Sequence, residues 1–180
     1  LLDVSHLQLS RSTVLRFIDS YQSVTPLTTA ELWALPTALR IACLEMLFGA
    51  LGRLLPTLPQ PFAQPAASPR MSEETETVAR AFGNIRVISE ISWKDMFEAL
   101  SRVDAILRRD PAAVYDKMDF ETADRYRRTV EKLSRATGHP EIEVAERVVA
   151  QARRFVASDV LRGHVGYWLV EAGQDEFSRS

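Results

Sequence analysis

Between residues 56 and 71 the chain reads PTLPQPFAQPAASPRM, with prolines at 56, 59, 61, 65 and 69. A proline ring fixes its own backbone angle, removes an N–H donor and clashes with the preceding helical turn. Five of them within fourteen positions forbid a regular helix across this stretch, and no central strand tolerates them either. Residues 56–71 therefore read as an extended, partly stiff linker. It divides the sequence into an N-terminal helical hairpin, 1–55, and a C-terminal helical bundle, 72–180.

On both sides of the linker the apolar residues recur with helical spacing, and no stretch alternates apolar and polar long enough to make a strand. The fold class expected is all-α, with about six to eight helices. A first helix spans about 10–21, with Val14, Phe17, Ile18 and Tyr21 inward. Thr28 and Glu31 fit a capping box, in which hydroxyl and carboxylate each satisfy a backbone N–H left unpaired at a helix start. The helix that follows runs to about Leu55, with Pro36 kinking or restarting it. After the linker, Val78, Phe82, Ile85 and Ile88 form one stripe. Ser92 and Asp95 mark a second capping box ahead of Trp93, Met96, Phe97, Leu100, Val103 and Leu107. Asp110 followed by Pro111 reads as a cap opening a short helix that ends near Lys117. Asp119 caps another helix, which buries Phe120, Ala123, Tyr126, Val130 and Leu133 and stops at Gly138. Pro140 starts the next, with Ile142, Ala145, Val148, Ala152 and Phe155 inward. A last helix carries Leu161, Val165, Trp168, Leu169 and Ala172.

Charge and composition remove several function classes. Net charge is −2, so the basic footprint of a nucleic-acid binder is absent at the level of the whole chain. The single Cys43 excludes an intramolecular disulfide and a multi-cysteine zinc site. The most apolar stretch, ALRIACLEMLFGALGRLLPTL, is interrupted by Arg40, Glu45 and Arg53. Its runs fall short of the ~20 apolar residues a bilayer crossing needs, so a helix buried on most sides is expected rather than a membrane span. The chain opens LLDVSHLQ rather than with methionine and is read as part of something longer.

The chemistry-bearing residues divide into capping, surface and candidate contacts. Paired carboxylates serve glycoside hydrolysis, but Asp110 and Asp119 each stand directly before a helix, where capping accounts for them. Arg125, Arg128, Lys132 and Arg135 share one helical face that can hold a phosphate. Glu121 and Asp124 each precede an arginine by four residues, which makes solvated intrahelical pairs the plainer reading. No spacing of His6, His139 and His164 suits a metal, and no serine-nucleophile or glycine-rich phosphate motif occurs. QARRF at residues 151–155 approximates the QxxRW of processive glycosyltransferases, but it sits in an amphipathic helix with no DxD triplet in the chain. Tyr115 and Tyr167 are the aromatics least clearly directed inward. The candidate binding residues are thus Tyr115, Tyr167, Arg125 and Arg128. No catalytic and no metal-ligating residue is assigned.

Four stretches together carry a resemblance: VTPLTTAELWALPTALRIACLE, the long run from GNIRVISEISWKD to RYRRTVEKLS, EIEVAERVV and HVGYWLVEAG. They resemble the cyclic β-1,2-glucan synthases, most specifically over residues 93–133. Those are large bacterial inner-membrane enzymes that polymerise glucose from UDP-glucose and close the chain into a ring. The region resembled lies ahead of the glycosyltransferase domain. The resemblance implies an accessory or scaffolding module at the cytoplasmic face of the inner membrane. Its expected partners are the glycosyltransferase domain of the same chain, another protein surface, or a second copy in a homo-oligomer. It implies no cofactor in this part, with UDP-glucose and a divalent metal belonging to the parent. A sugar- or glucan-binding module and a free-standing helical adaptor are the alternatives.

Overall fold

The computed structural model describes residues 8–55 and 69–170, together with Gly173 and Phe177. Among the described residues every regular element is helical, as the spacing predicts. In order they are α1 (Arg11–Gln22), α2 (Thr29–Leu54), α3 (Pro69–Glu90), α4 (Trp93–Leu100) and α5 (Arg102–Leu107). A 3₁₀ turn (Tyr115–Lys117), α6 (Phe120–Thr137), α7 (Glu141–Phe155) and α8 (Val165–Leu169) follow.

The helix ends follow from local chemistry. Ser10 accepts from the Thr13 amide at 3.1 Å and its own amide donates to Thr13 Oγ1 at 2.8 Å, closing a reciprocal cap on α1. At the start of α2 the Thr28 amide donates to Glu31 Oε2 at 2.8 Å, and the Glu31 amide donates back to Thr28 Oγ1 at 3.2 Å. The Ser92 cap is looser, with 3.5 Å to the Asp95 amide. Asp119 accepts from the Thr122 amide at 2.9 Å and opens α6. Gly138 ends α6 at φ 76°, a left-handed conformation that costs glycine no side-chain clash.

Three expectations change. α2 passes through Pro36 as one helix rather than restarting there. Pro69 supplies the first residue of α3 instead of prolonging the linker, because a first-turn residue has no partner for its N–H. Residues 56–68 of the linker lie outside the described residues. The helix expected after Asp110 does not form. The chain turns through Ala113 at φ 52° and makes one 3₁₀ turn, while the Asp110 carboxylate takes the amides that a helix would have paired.

The chain forms two compact units, which do not divide at the proline stretch. One comprises Leu1–Val24 with Ala34–Met96, the other Thr25–Trp33 with Phe97–Ser180. In the first, Val14, Ile18, Leu39, Cys43, Leu47, Ala50, Ala81 and Ile88 are buried. The amide of Leu9 donates to Asn84 Oδ1 at 2.9 Å, and Arg53 pairs with Glu74. In the second, α7 packs against α5, α6 and α8 around Leu107, Val130, Val148, Val165 and Trp168. Glu141, the first residue of α7, accepts from both the amide and the hydroxyl of buried Thr29, at 2.8 and 2.7 Å. Burying several such side chains, at ~1.5–3 kcal/mol each, is the main force holding this core.

Candidate functional site

Two positions on apolar stripes carry charge: Asp104 between Val103 and Leu107, and Arg127 between Ala123 and Val130. Both are completely buried, and Arg127 donates to Asp104 Oδ1 at 2.6 Å. Asp104 also accepts from the Tyr115 hydroxyl at 2.8 Å and from Arg108 Nε at 2.7 Å. Arg108 reaches on to Asp116 at the surface. The Arg127 guanidinium carbon lies 4.8 Å from the centre of the Phe120 ring and 5.0 Å from that of Phe97, on which Trp33 stacks at 4.7 Å. The cation is thus paired closely with Asp104, has Asp124 Oδ1 at 3.6 Å as a second carboxylate, and is faced by two aromatic rings, which offset the cost of desolvating it. Burial first, and then the charge of Asp104, push the Tyr115 phenol well above its ordinary range. It stays protonated and donates.

A second cluster centres on Asp110. Its carboxylate accepts from His164 Nδ1 at 2.8 Å and from the amides of Val165, Val114 and Tyr115 at 3.1, 3.1 and 3.2 Å. Burial alone raises this carboxyl, but the His164 ring and the amides outweigh it and hold it below the usual carboxylate range. His164 Nε2 lies 3.5 Å from the Tyr126 hydroxyl, and Gly166 packs so tightly against both rings that a Cβ there would sit 2.5 Å from Nε2. A carboxylate–imidazole pair is the hardware of general-base catalysis. Here the carboxylate is spent on backbone amides and the far ring nitrogen faces a tyrosine beside a closed glycine contact. The arrangement staples the 110–115 turn to the start of α8.

The four candidate binding residues have different surroundings. Tyr115 is only 2% exposed and lies inside the core, so it presents no face on which a sugar ring can stack. Tyr167 is half-buried, edge-on to Trp168 at 5.1 Å and with the Arg162 guanidinium 5.7 Å from its ring centre. Arg128 is exposed and pairs with Asp124 at 2.7 Å, as its spacing predicts. Arg125 is exposed as well. Among the described residues no group of three His, Cys, Asp or Glu side chains is arranged to hold a metal ion. The QARRF helix does border a feature: Arg147, Ala150, Gln151, Arg154 and Phe177 line an open groove of about 260 Å³.

Sequence reasoning missed Asp104, Arg127 and His164. The signal for the first two was present, since an acid and a base each interrupted an apolar stripe, and such interruptions are tolerated in a core when they neutralise each other. Nothing in the sequence linked His164 to Asp110, 54 positions earlier.

The comparisons with known proteins give a partial match. The chain is 34% identical over 106 residues to the cyclic β-(1,2)-glucan synthase NdvB of Rhizobium meliloti, a match covering 56% of this chain and 4% of that protein. No protein-family model matches the chain. No solved structure matches it.

Proposed function

We propose that this chain is an accessory, non-catalytic helical module of a cyclic β-1,2-glucan synthase. The observation that carries the reading is the 34% identity over 106 residues to one such enzyme, of which the match spans a small fraction. The buried chemistry supports it. Asp104, Arg127, Tyr115, Asp110 and His164 are the groups best placed to react, and each is spent on holding helices and turns together. In this reading the module positions the glycosyltransferase part of the same protein at the cytoplasmic face of the inner membrane. UDP-glucose and any divalent metal bind elsewhere in the parent.

A glucan-binding role for the same module draws support from the groove on α7, where an aromatic ring lies beside Gln151 and two arginines. Tyr115 has no part in that version. The test uses membranes from cells expressing the complete gene product that carries this chain, supplied with radiolabelled UDP-glucose. Cyclic glucan should form, and Arg127→Met should reduce it in proportion to the loss of folded protein. Arg154→Ala should leave synthesis unchanged if the module only positions, and shorten or reduce the product if the groove holds glucan. A gene product that makes no cyclic glucan refutes the proposal.

A further inference from the structure

α2 is apolar on two opposite faces. One is buried through Leu32, Leu39, Cys43, Leu47 and Ala50. Sequence reasoning expected burial on most sides. Instead Ile41 is 52%, Leu44 41%, Phe48 66% and Leu55 69% exposed, with Leu51 half-buried among them. Only 22% of the most apolar 18-residue window of this helix is buried. Exposed positions 41, 44 and 48, half-buried 51, and 55 just past the helix end alternate steps of three and four. That is the a and d register of two heptads, the seam along which two helices pack side by side. In this register Arg40 stands at g and Glu45 at e, both exposed and on opposite edges of the stripe. Pro36 falls at c, away from the seam.

We infer that the exposed face of α2 pairs with the same face of a second copy, with the two helices parallel. The charges select this arrangement. In a parallel pair each g position faces the e position five residues on in the partner, so Arg40 meets Glu45 twice about the two-fold axis. In an antiparallel pair g meets g and e meets e, and neither charge is compensated. A bilayer is the other surface an apolar helix can meet, and α2 is long and apolar enough by length and composition to cross one. A carboxylate in mid-helix costs ~2.5–3.5 kcal/mol there, whereas the homodimer neutralises it. Two heptads are too few for a free-standing coiled coil, so the pairing relies on helices already held by the fold. Such a seam is ~21 Å long and below the size of a standard interface, so the dimer is concentration-dependent. The inference does not depend on the proposed function.

The test is sedimentation velocity of the 180-residue chain over a concentration series from micromolar upward. Reversible dimerisation is expected. Phe48→Glu, on an exposed position, should give monomer at every concentration with an unchanged circular dichroism spectrum and melting curve. If that variant melts early, Leu55→Glu, just beyond the last helical residue, takes its place. Arg40→Glu and Glu45→Arg should each weaken the dimer severalfold, and the two together should restore it. Ile41→Cys should cross-link to itself under mild oxidation, while Cys43, buried and with its thiol pushed up by burial, stays reduced. A chain that is monomeric throughout, a dimer that survives both glutamate variants, or failure of the charge swap to restore pairing overturns the inference. So does binding to phosphatidylcholine vesicles that Phe48→Glu abolishes in a chain that never dimerises.

Discussion

Replacing Arg127 by methionine isolates what the buried ion pair contributes. The substitution keeps the length and apolar stem of the side chain and removes only the guanidinium, which is 0% exposed. Breaking a buried pair by removing one partner costs ~3–5 kcal/mol, because the other charge is left uncompensated. Asp104 retains Arg108 Nε at 2.7 Å and the Tyr115 hydroxyl at 2.8 Å, which places the loss near the lower end. The cation also leaves the faces of Phe97 and Phe120, a contact worth up to ~2 kcal/mol when desolvated. A methionine sulfur against the same rings returns ~0.3–1.5 kcal/mol. The net expectation is about 3 kcal/mol. In a chain of this size each kcal/mol moves the melting temperature by about 2–4 °C, so the shift is roughly 6–12 °C. Urea titration followed by tryptophan fluorescence measures it, since Trp33 stacks on Phe97 and Trp168 lies in the core beside Phe155. Arg128→Met, at an exposed pair, is the control and should cost under ~1 kcal/mol. Removing the cluster as a unit, with Asp104→Leu and Tyr115→Phe added to Arg127→Met, should recover part of the loss. Equal costs for the two arginines would refute the buried-pair account.

Acid should weaken the Asp110 staple. A carboxyl held below its unfolded value of ~3.9 contributes stability that is complete above that pH and lost as pH falls through the folded value. The stability difference between wild type and Asp110→Asn, measured by urea midpoints, should therefore shrink as pH falls below about 4. Gly166→Ala should cost about 1–3 kcal/mol by overpacking the Tyr126 and His164 rings, seen as a lower melting temperature. Ala113→Gly and Gly138→Ala should move stability in opposite directions by ~1 kcal/mol, up and down respectively. Both residues lie in left-handed backbone that only glycine adopts without a clash.

The helices and most of their caps were legible because they depend on neighbours three or four residues away. Thr28 with Glu31, Asp119 with Thr122, and Gly138 all act within one turn. Asp110 looked like the same case and was not, because its decisive partners, His164 and Val165, come from the far end of the unit. Periodicity also shows which residues share a face without showing whether that face finds a cover. Tyr21, Phe82 and Leu161 were placed inward by spacing and are exposed, whereas Ala172 lies outside the described residues. The two apolar faces of α2 illustrate the same limit, since hydrophobicity all round reads as burial until the packing is seen. Candidate contacts suffered from the reverse error. Tyr115 was singled out for lying off the helical stripes, and it lies off them because its backbone is in the 3₁₀ turn that Asp110 organises, with its ring directed to Asp104.

The central proposal is that this chain supports glucan synthesis without performing it. The direct measurement is calorimetric titration of the 180-residue chain with UDP-glucose and a divalent metal, followed by assay for released UDP. Exposed arginines such as Arg125 and Arg128 attract any polyphosphate, and that attraction should fade with salt, since exposed charges are screened over ~8 Å at physiological ionic strength. The account predicts weak, salt-sensitive binding and no UDP release above a heat-killed control. Salt-resistant micromolar binding with turnover would contradict it and make this module a catalytic domain.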